Sequence, residues 1–475
     1  MAIKSFAASC QATVSNRDAG LASWGRVRSL PQNLIVSAGS LITGSEAGFE
    51  VAADWTVANG SASDNTTQKV NGNQSLRLLM NGTSNTMTTS RTDLNEDLSA
   101  SDQIQMAVYV AAMPSTNLQI VLSNNTGFTV TATRTIATFL SGDGIHQQEL
   151  MPGQWATINL QRGEFTLAGG FSWSNPIVAF RFVITDTGQD ADLSIDYVRV
   201  GVETLPAVLL QTDDCYDSDY NIIYDEAWLT RQMRTTHFII SGLMDTAGRL
   251  TTAQALTMYN ANLDIGNHSD ENVALTTYGS QALVEQHLQA CIDYLENNSM
   301  ERAKFQLAYP QGQWDDTVKN GLAGVGMLTA RNAYNAAVQL TLPQYYWYHV
   351  KATPLERDNT TLNEAKGYID DALARNEIAV IYTHDISATP GYYGWTTANF
   401  TALLDYIVGK DIAVLTISDL YELTSKSLVV PNQFAQTVSL SANCQAASAS
   451  SNARLDIQGV VVVVVVAVVV VVVEG

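Results

Sequence analysis

Cysteine is scarce. Cys10, Cys215, Cys291 and Cys444 are scattered over 475 residues, and no CxxC spacing occurs, which argues against a disulfide framework or a zinc knuckle. Positive charge is scarce too: Lys and Arg number 25 against 46 Asp and Glu, a net charge of −21. A chain this acidic, without a basic cluster, is unsuited to nucleic acid or an anionic membrane surface. Only 15% of residues are charged while 46% are hydrophobic, which excludes wholesale disorder and supplies ample material for buried cores. The apolar run from Val460 to Val473, broken only by Ala467, spans fourteen residues, short of the roughly 20 that cross a membrane. It carries no functional reading, so no membrane insertion is expected. The opening residues also lack the continuous apolar stretch of a secretory signal. An enzyme of extracellular glycan would then leave the cell by another route, such as inside an assembled particle.

What is present divides the chain into four. Residues 1–45 form a leader in which Lys4, Arg17, Arg26 and Arg28 face only Asp18 up to position 40, a local excess of basic charge that either docks onto an acidic partner or is chance. Residues 46–204 read as short strands separated by turn residues. Ser75–Met80, Gln103–Val110, Leu118–Leu122, Ile177–Ile184 and Ala191–Val200 are candidates, several with the two-residue alternation of half-buried antiparallel strands. Many strands without helices between them predict a β-sandwich. In residues 205–424 apolar runs at 207–210, 236–240, 378–382 and 412–416 alternate with amphipathic stretches at 281–297, 362–375 and 396–408. That alternation predicts a parallel (β/α) sheet or barrel, with its chemistry at the C-terminal strand ends. Residues 425–475 have no assignable role.

The 46–204 segment resembles jelly-roll carbohydrate-binding-like modules in Phe49-Glu-Val-Ala-Ala-Asp-Trp55, Gly72-Asn-Gln-Ser-Leu-Arg77 and Ser194-Ile-Asp-Tyr-Val-Arg199. Trp55, Trp155 and Trp173 either stack on sugar rings or fill the sandwich core, and core is the commoner fate of each.

Four segments carry chemistry. The apolar run Leu209-Leu-Gln-Thr ends in Asp213 and Asp214, adjacent carboxylates that repel unless a cation or donor sits beside them. His268 follows a short apolar stretch and a glycine; histidine is a preferred zinc ligand, although a lone one is more often structural. In Ala308-Tyr309-Pro310-Gln311-Gly312-Gln-Trp314 the Pro and Gly bracket a rigid turn, which can present a backbone N–H to developing negative charge. The run Ala379-Val-Ile-Tyr-Thr ends in His384, suited to proton transfer near neutrality.

Together, in this order, these segments resemble the polysaccharide deacetylases, the family 4 carbohydrate esterases with the NodB-homology fold. The resemblance extends over Met233–Ile240, Gly248–Thr251, Ala253–Asn260 and Tyr392–Asp419. It implies a distorted (β/α) barrel and metal-dependent hydrolysis of acyl groups from a glycan. On it Asp213 is the base that activates water, and Asp214 and His268 are metal ligands. Gln311 supplies a backbone oxyanion donor and His384 is the general acid. Tyr309, Pro310, Trp314 and Trp395 fall among sugar-contacting positions. The implied cofactor is a divalent metal, most often zinc.

Three positions depart from the family pattern. Asn272 stands where a second metal histidine is usual, and its side-chain carbonyl oxygen is a weaker ligand, with Asp270 or Glu271 at hand to supplement it. Ala308 replaces an arginine, so whatever orients the base comes from elsewhere. The fourth motif is indistinct: Arg357 and Asp358 lie in its region, and Tyr345-Tyr-Trp-Tyr348 lines a sugar cleft or belongs to an interface or to the core. The order of leader, sandwich and deacetylase resembles phage tail fibre or tailspike proteins. That implies a virion tail location, contact with other tail proteins, a homotrimer, and bacterial surface polysaccharide as substrate. The alternatives are an inactive structural or glycan-binding virion protein and a secreted bacterial deacetylase.

Overall fold

A computed structural model describes residues 34–41, 49, 51–112, 114–137, 153–333 and 339–425. The basic leader residues, Cys10, Cys444 and the valine run lie outside them.

The first half builds two antiparallel six-stranded sheets. One runs Gly60–Asn65, Ser75–Met80, Asp192–Thr204, Gln103–Ala112 and Trp155–Gln161 in spatial order, with Ile35–Leu41 joining the far half of Asp192–Thr204. That last strand falls in the stretch the sequence assigned to the leader. A run of small residues hid it, and its partner lies over 150 positions downstream. The other sheet runs Thr166–Ala168, Thr131–Ala137, Asn117–Ser123, Ala179–Thr185, Thr86–Arg91 and Thr56–Ala58. Alternation places Leu76, Leu78, Phe180 and Phe182 in one shared apolar cluster, as the two-residue period of a strand dictates. Trp55 lies in that cluster, 5.7 Å from Phe182. Trp173 packs edge-on to Phe165 and Phe171. Both therefore take the core role.

The second half is an eight-stranded sheet in which every pairing is parallel. Its strands are β1 (Ala207–Thr212), β2 (Thr235–Ile239), β3 (Asp264–Asn267), β4 (Ala303–Ala308), β5 (Thr329–Arg331), β6 (Thr353–Pro354), β7 (Ile378–Thr383) and β8 (Ala413–Leu415). The spatial order is β5-β4-β3-β2-β1-β7-β6, with β8 pairing the first half of β1. An isolated bridge between Arg331 and Val350 ties β5 to the segment entering β6 and rounds the sheet toward a barrel. Every residue of β1 and β7 is buried, as expected of parallel strands covered on both faces.

The covering helices are α1 (Thr252–Asn260), α2 (Gln281–Asn297), α3 (Asp316–Gly324), α4 (Leu362–Arg375), α5 (Thr397–Lys410) and α6 (Ile417–Ser425). Helix α2 buries Val284, Leu288, Cys291, Ile292 and Leu295, the one-faced stripe of a surface helix. Capping boxes at Thr251/Gln254 and Thr361/Glu364 start α1 and α4. No helix among the described residues is long and apolar enough to cross a membrane.

The two halves meet across a seam of buried polar bonds. Gln105 Nε2 donates to Leu342 O at 2.8 Å, Thr157 Oγ1 to Pro343 O at 2.7 Å, and Asn159 Nδ2 to Glu377 Oε1 at 3.0 Å. Arg375 bridges Glu164 and Glu377. Tyr345 meets the hydroxyl of buried Tyr197 at 3.1 Å. The aromatic run at 345–348 thus begins as interface.

Candidate active site

Asp213, Asp214, His268, the 309–312 turn, Arg331 and His384 each stand at the C-terminal end of β1, β3, β4, β5 or β7. Because all these strands are parallel, their ends open on the same side, where such folds build active sites. The Asp213 N–H donates to Thr383 O at 3.0 Å, tying the end of β1 to that of β7. Asp214 and Cys215 then take φ of 68° and 49°, a left-handed kink in two non-glycine residues that costs about 1–3 kcal/mol per residue.

Arg331 supplies what Ala308 does not. Its Nη2 reaches Asp213 Oδ1 at 2.5 Å and also bonds Oδ2. The two side chains are 2% and 5% exposed, so each neutralises a charge that burial would otherwise make costly. The guanidinium lies 4.2 Å from the Tyr382 ring, and its Nη1 donates to Asn332 O at 3.1 Å. Position 308 keeps a backbone role: its carbonyl accepts from His268 Nδ1 at 2.8 Å.

That bond puts the Nδ1 proton of His268 on Ala308, leaving Nε2 to face Asp214 Oδ1 at 3.4 Å. Burial opposes ionisation of Asp214 most strongly, yet His268, His384 and Arg249 hold its carboxyl below the ordinary value. Burial likewise opposes the charged imidazole, but Asp214 and Asp213 raise His268. The separation of 3.4 Å is long for a charge-assisted hydrogen bond. It is the spacing of two ligand atoms on arms of about 2.1 Å at a tetrahedral angle. A carbonyl fixing the far nitrogen is the usual partner of a ligating histidine. The pair therefore fits a divalent cation. Among the described residues no group of three His, Cys, Asp or Glu is placed to hold a metal ion, so Asp214 and His268 would be the two side chains to hold one. Asn272 lies exposed on the loop after β3, where its backbone carbonyl accepts from Gln311 Nε2 at 3.4 Å.

His384 is half-buried, its Nδ1 3.3 Å from Tyr393 O. Tyr392 and Tyr393 beside it are 49% and 59% exposed. Gln311 sits at φ 58° and Gly312 at φ 66°. A Cβ on Gly312 would come within 2.9 Å of that of Ala333, so the turn needs a glycine there.

Three expected sugar contacts are buried in the protein. Trp395 is 1% exposed; it donates Nε1 to Thr360 O at 2.9 Å and packs with Phe400 and Ile386. Tyr309 is buried, its hydroxyl on Tyr348 O at 3.0 Å. Pro310 is buried as well. Aromatic and apolar bulk here fills core. Trp314 remains half-open, edge-on to His349 and with the Lys319 ammonium 5.2 Å from its ring. Arg357 and Asp358 pair with each other at the surface. Arg357 also donates to Pro390 O at 3.0 Å, fastening the loop that carries the two tyrosines.

Sequence reasoning missed Arg331 and Arg249. The latter donates to Asp214 O at 2.6 Å from over the Tyr216 ring. The one available signal was an arginine closing the apolar run Met327-Leu-Thr-Ala. Cys215 and Cys291 are packing residues, since burial pushes both thiols up to about 12.

Residues 203–330 match the polysaccharide deacetylase family. No curated protein matches the chain. Solved structures similar to it include a family 4 carbohydrate esterase from Streptomyces lividans in complex with acetate, 17% identical over 45% of this chain and 94% of that one, with a TM-score of 0.31. Peptidoglycan deacetylase PdaC from Bacillus subtilis is 15% identical over 47% and 93%, with a TM-score of 0.31. For Streptococcus pyogenes deacetylase PplD the identity is 18% over 31% of this chain and 63% of that one, with a TM-score of 0.27.

Proposed function

We propose that the 205–424 domain hydrolyses acetyl groups from a bacterial surface polysaccharide. One observation carries the reading. Buried Asp213 and the Asp214–His268 pair lie within the stretch that matches the deacetylase family, and Arg331, just beyond its end, holds Asp213 through both oxygens. Asp213 takes a proton from the water that attacks the acyl carbon, and Arg331 prevents its carboxylate from turning away. His384, fixed through Nδ1 by Tyr393 O, gives a proton from Nε2 to the departing amine or alcohol. The Gln311 N–H faces the developing oxyanion. A divalent cation held by Asp214 and His268 would supply Lewis acidity toward the acyl oxygen. Tyr392 and Tyr393 offer an exposed aromatic platform next to the acid.

The test is acetate released from acetylated bacterial polysaccharide, with and without chelator, and with Asp213→Ala. Release that the substitution abolishes supports the reading. No release under added zinc, from capsule, O-antigen or peptidoglycan, sinks it. Release indifferent to chelator removes the metal but keeps the esterase.

The exposed Asn272 and the two-residue anchor favour a second reading, a glycan-binding protein that has lost catalysis. Polysaccharide binding without acetate release would establish it. We place the chain in a phage tail fibre or tailspike on domain order alone; a monomeric mass for the full chain in solution would count against the homotrimer this implies.

A further inference from the structure

A buried polar knot lies behind the base. After Asp213 and Asp214 the chain returns into a π-helix, Asp219–Leu229, a rare form that recurs at functional sites. Its first residue, Asp219, is 0% exposed, as is His237 on β2. Thr212 Oγ1 donates to Asp219 Oδ2 at 2.9 Å and meets His237 Nδ1 at 2.8 Å. His237 Nε2 meets Thr235 Oγ1 at 2.7 Å, and its Nδ1 lies 3.3 Å from Asp219 Oδ2. No step of the proposed hydrolysis uses these groups.

The knot is a poor choice for stability alone. Burial pushes the Asp219 carboxyl up, His237 and Thr212 oppose the rise, and the charge of Asp213 adds to it. Asp219 Oδ1 makes no hydrogen bond, and an unsatisfied buried polar atom costs about 1–3 kcal/mol. Apolar side chains of the same shape in place of such polar partners are often neutral for stability. What the knot does fix is the chain. The bond from Thr212 to Asp219 closes a loop of six residues, 213–218, that holds both Asp213 and Asp214. That loop contains the left-handed kink at Asp214 and Cys215, a strained conformation that persists only when its surroundings hold it. Next to Asp219, Ser218 Oγ accepts from Ile386 N at 3.1 Å, just beyond His384. Two adjacent residues thus tie down the loop of the base and the loop of the acid.

We infer that Ser218 and Asp219 are positioning residues for the hydrolysis: Asp219 holds Asp213 and Asp214 in place through Thr212, and Ser218 holds His384 in place through the Ile386 N–H. The inference rests on the deacetylase reading, which assigns Asp213 and His384 their roles.

The experiment compares two substrates on the full chain. One is p-nitrophenyl acetate, whose nitrophenolate departs without a proton. The other is whichever of capsule, O-antigen or peptidoglycan the wild type deacetylates, whose leaving group needs one. Asp219→Ala lowers kcat on both by about 100-fold, the cost of misplacing a reacting group by about 1 Å, with KM unchanged. Asp219→Asn keeps an acceptor for Thr212 Oγ1 and recovers most of the rate. Ser218→Ala slows the polysaccharide far more than the aryl ester, because it loosens the acid alone; a merely structural role cannot split the two substrates. Melting curves establish that each variant is folded at the assay temperature. Wild-type kcat in folded Asp219→Ala overturns the inference, as does a Ser218→Ala that slows both substrates equally or neither. Where Asp219→Ala does not fold, the Ser218→Ala comparison decides. A wild type that releases no acetate from any of the three polysaccharides removes the enzyme reading and the positioning role with it, whereas silent variants of an active wild type remove the positioning role only.

Discussion

Replacing Arg331 by methionine tests the site's electrostatics directly. The substitution keeps side-chain bulk but strands Asp213, whose side chain is 5% exposed, with no counter-charge. Breaking one half of a buried ion pair costs about 3–5 kcal/mol, a large share of the stability of any domain. Urea denaturation followed by tryptophan fluorescence should show that loss. Acetate release should fall by at least about 100-fold, the lower reach of general-base catalysis. Arg331→Lys should recover some stability and little activity, because an ammonium loses the Nη1 bond to Asn332 O and the stacking on Tyr382 that fix the guanidinium beside Asp213. The double change Arg331→Met with Asp213→Asn removes both charges and should recover most of the stability while staying inactive. If Arg331→Met is within about 0.5 kcal/mol of wild type, the range of an ordinary surface change, and still releases acetate, Arg331 does not hold the base.

Trp395→Ala should destabilise by about 3–5 kcal/mol, as for other buried aromatics, whereas Tyr393→Ala should raise KM for polysaccharide with the melting temperature unchanged; the reverse pattern would restore Trp395 as a sugar contact. Asp186 is opposed by burial but held down to about 2 by hydrogen bonds from Ser115, Gly188 and Asp190. With its folded value depressed, its stabilisation is whole above the unfolded value of about 3.9 and is lost as pH falls toward 2. The stability gap between wild type and Asp186→Asn should therefore be constant above pH 4 and shrink below it. A gap that instead widens on acidification would contradict the assignment. With thiols pushed up to about 12, Cys215 and Cys291 should resist iodoacetamide at pH 8 in the folded protein and react once unfolded, as read by peptide mass.

The seam makes the two halves a poor place to cut. Asn159 and Thr157 come from one half, Glu377 and Pro343 from the other, and their bonds are largely buried. Separation would leave Glu377, 2% exposed, without Asn159 and with Arg375 deprived of Glu164. The first half therefore serves as a wall of the second as well as a module in its own right. Sequence reading took it for a module alone, because inter-domain hydrogen bonds fall on residues such as Gln105 and Thr157 that look like ordinary strand positions.

What was legible follows from the same physics. Asp213, Asp214, His268 and His384 stood out because polar residues closing apolar runs mark the ends of parallel strands. The sheet fixes those ends on one side, so their convergence needed no knowledge of side-chain positions. Arg331 closes a strand of only three residues, 118 positions from its partner, where no periodicity can form. Trp395 and Tyr309 are buried, and in sequence an aromatic beside a motif looks alike whether it faces sugar or core. Position 308 is the instructive case. Its alanine appeared to remove a function, yet the charge role sits on the neighbouring strand, where Gln306, Leu307 and Ala308 pair with Thr329, Ala330 and Arg331. The register opposes Ala308 to Arg331 itself, so a side chain rooted on either strand can reach the same carboxylate. The ion pair with Asp213 is made from the register partner of position 308, a place that a search along one motif does not reach.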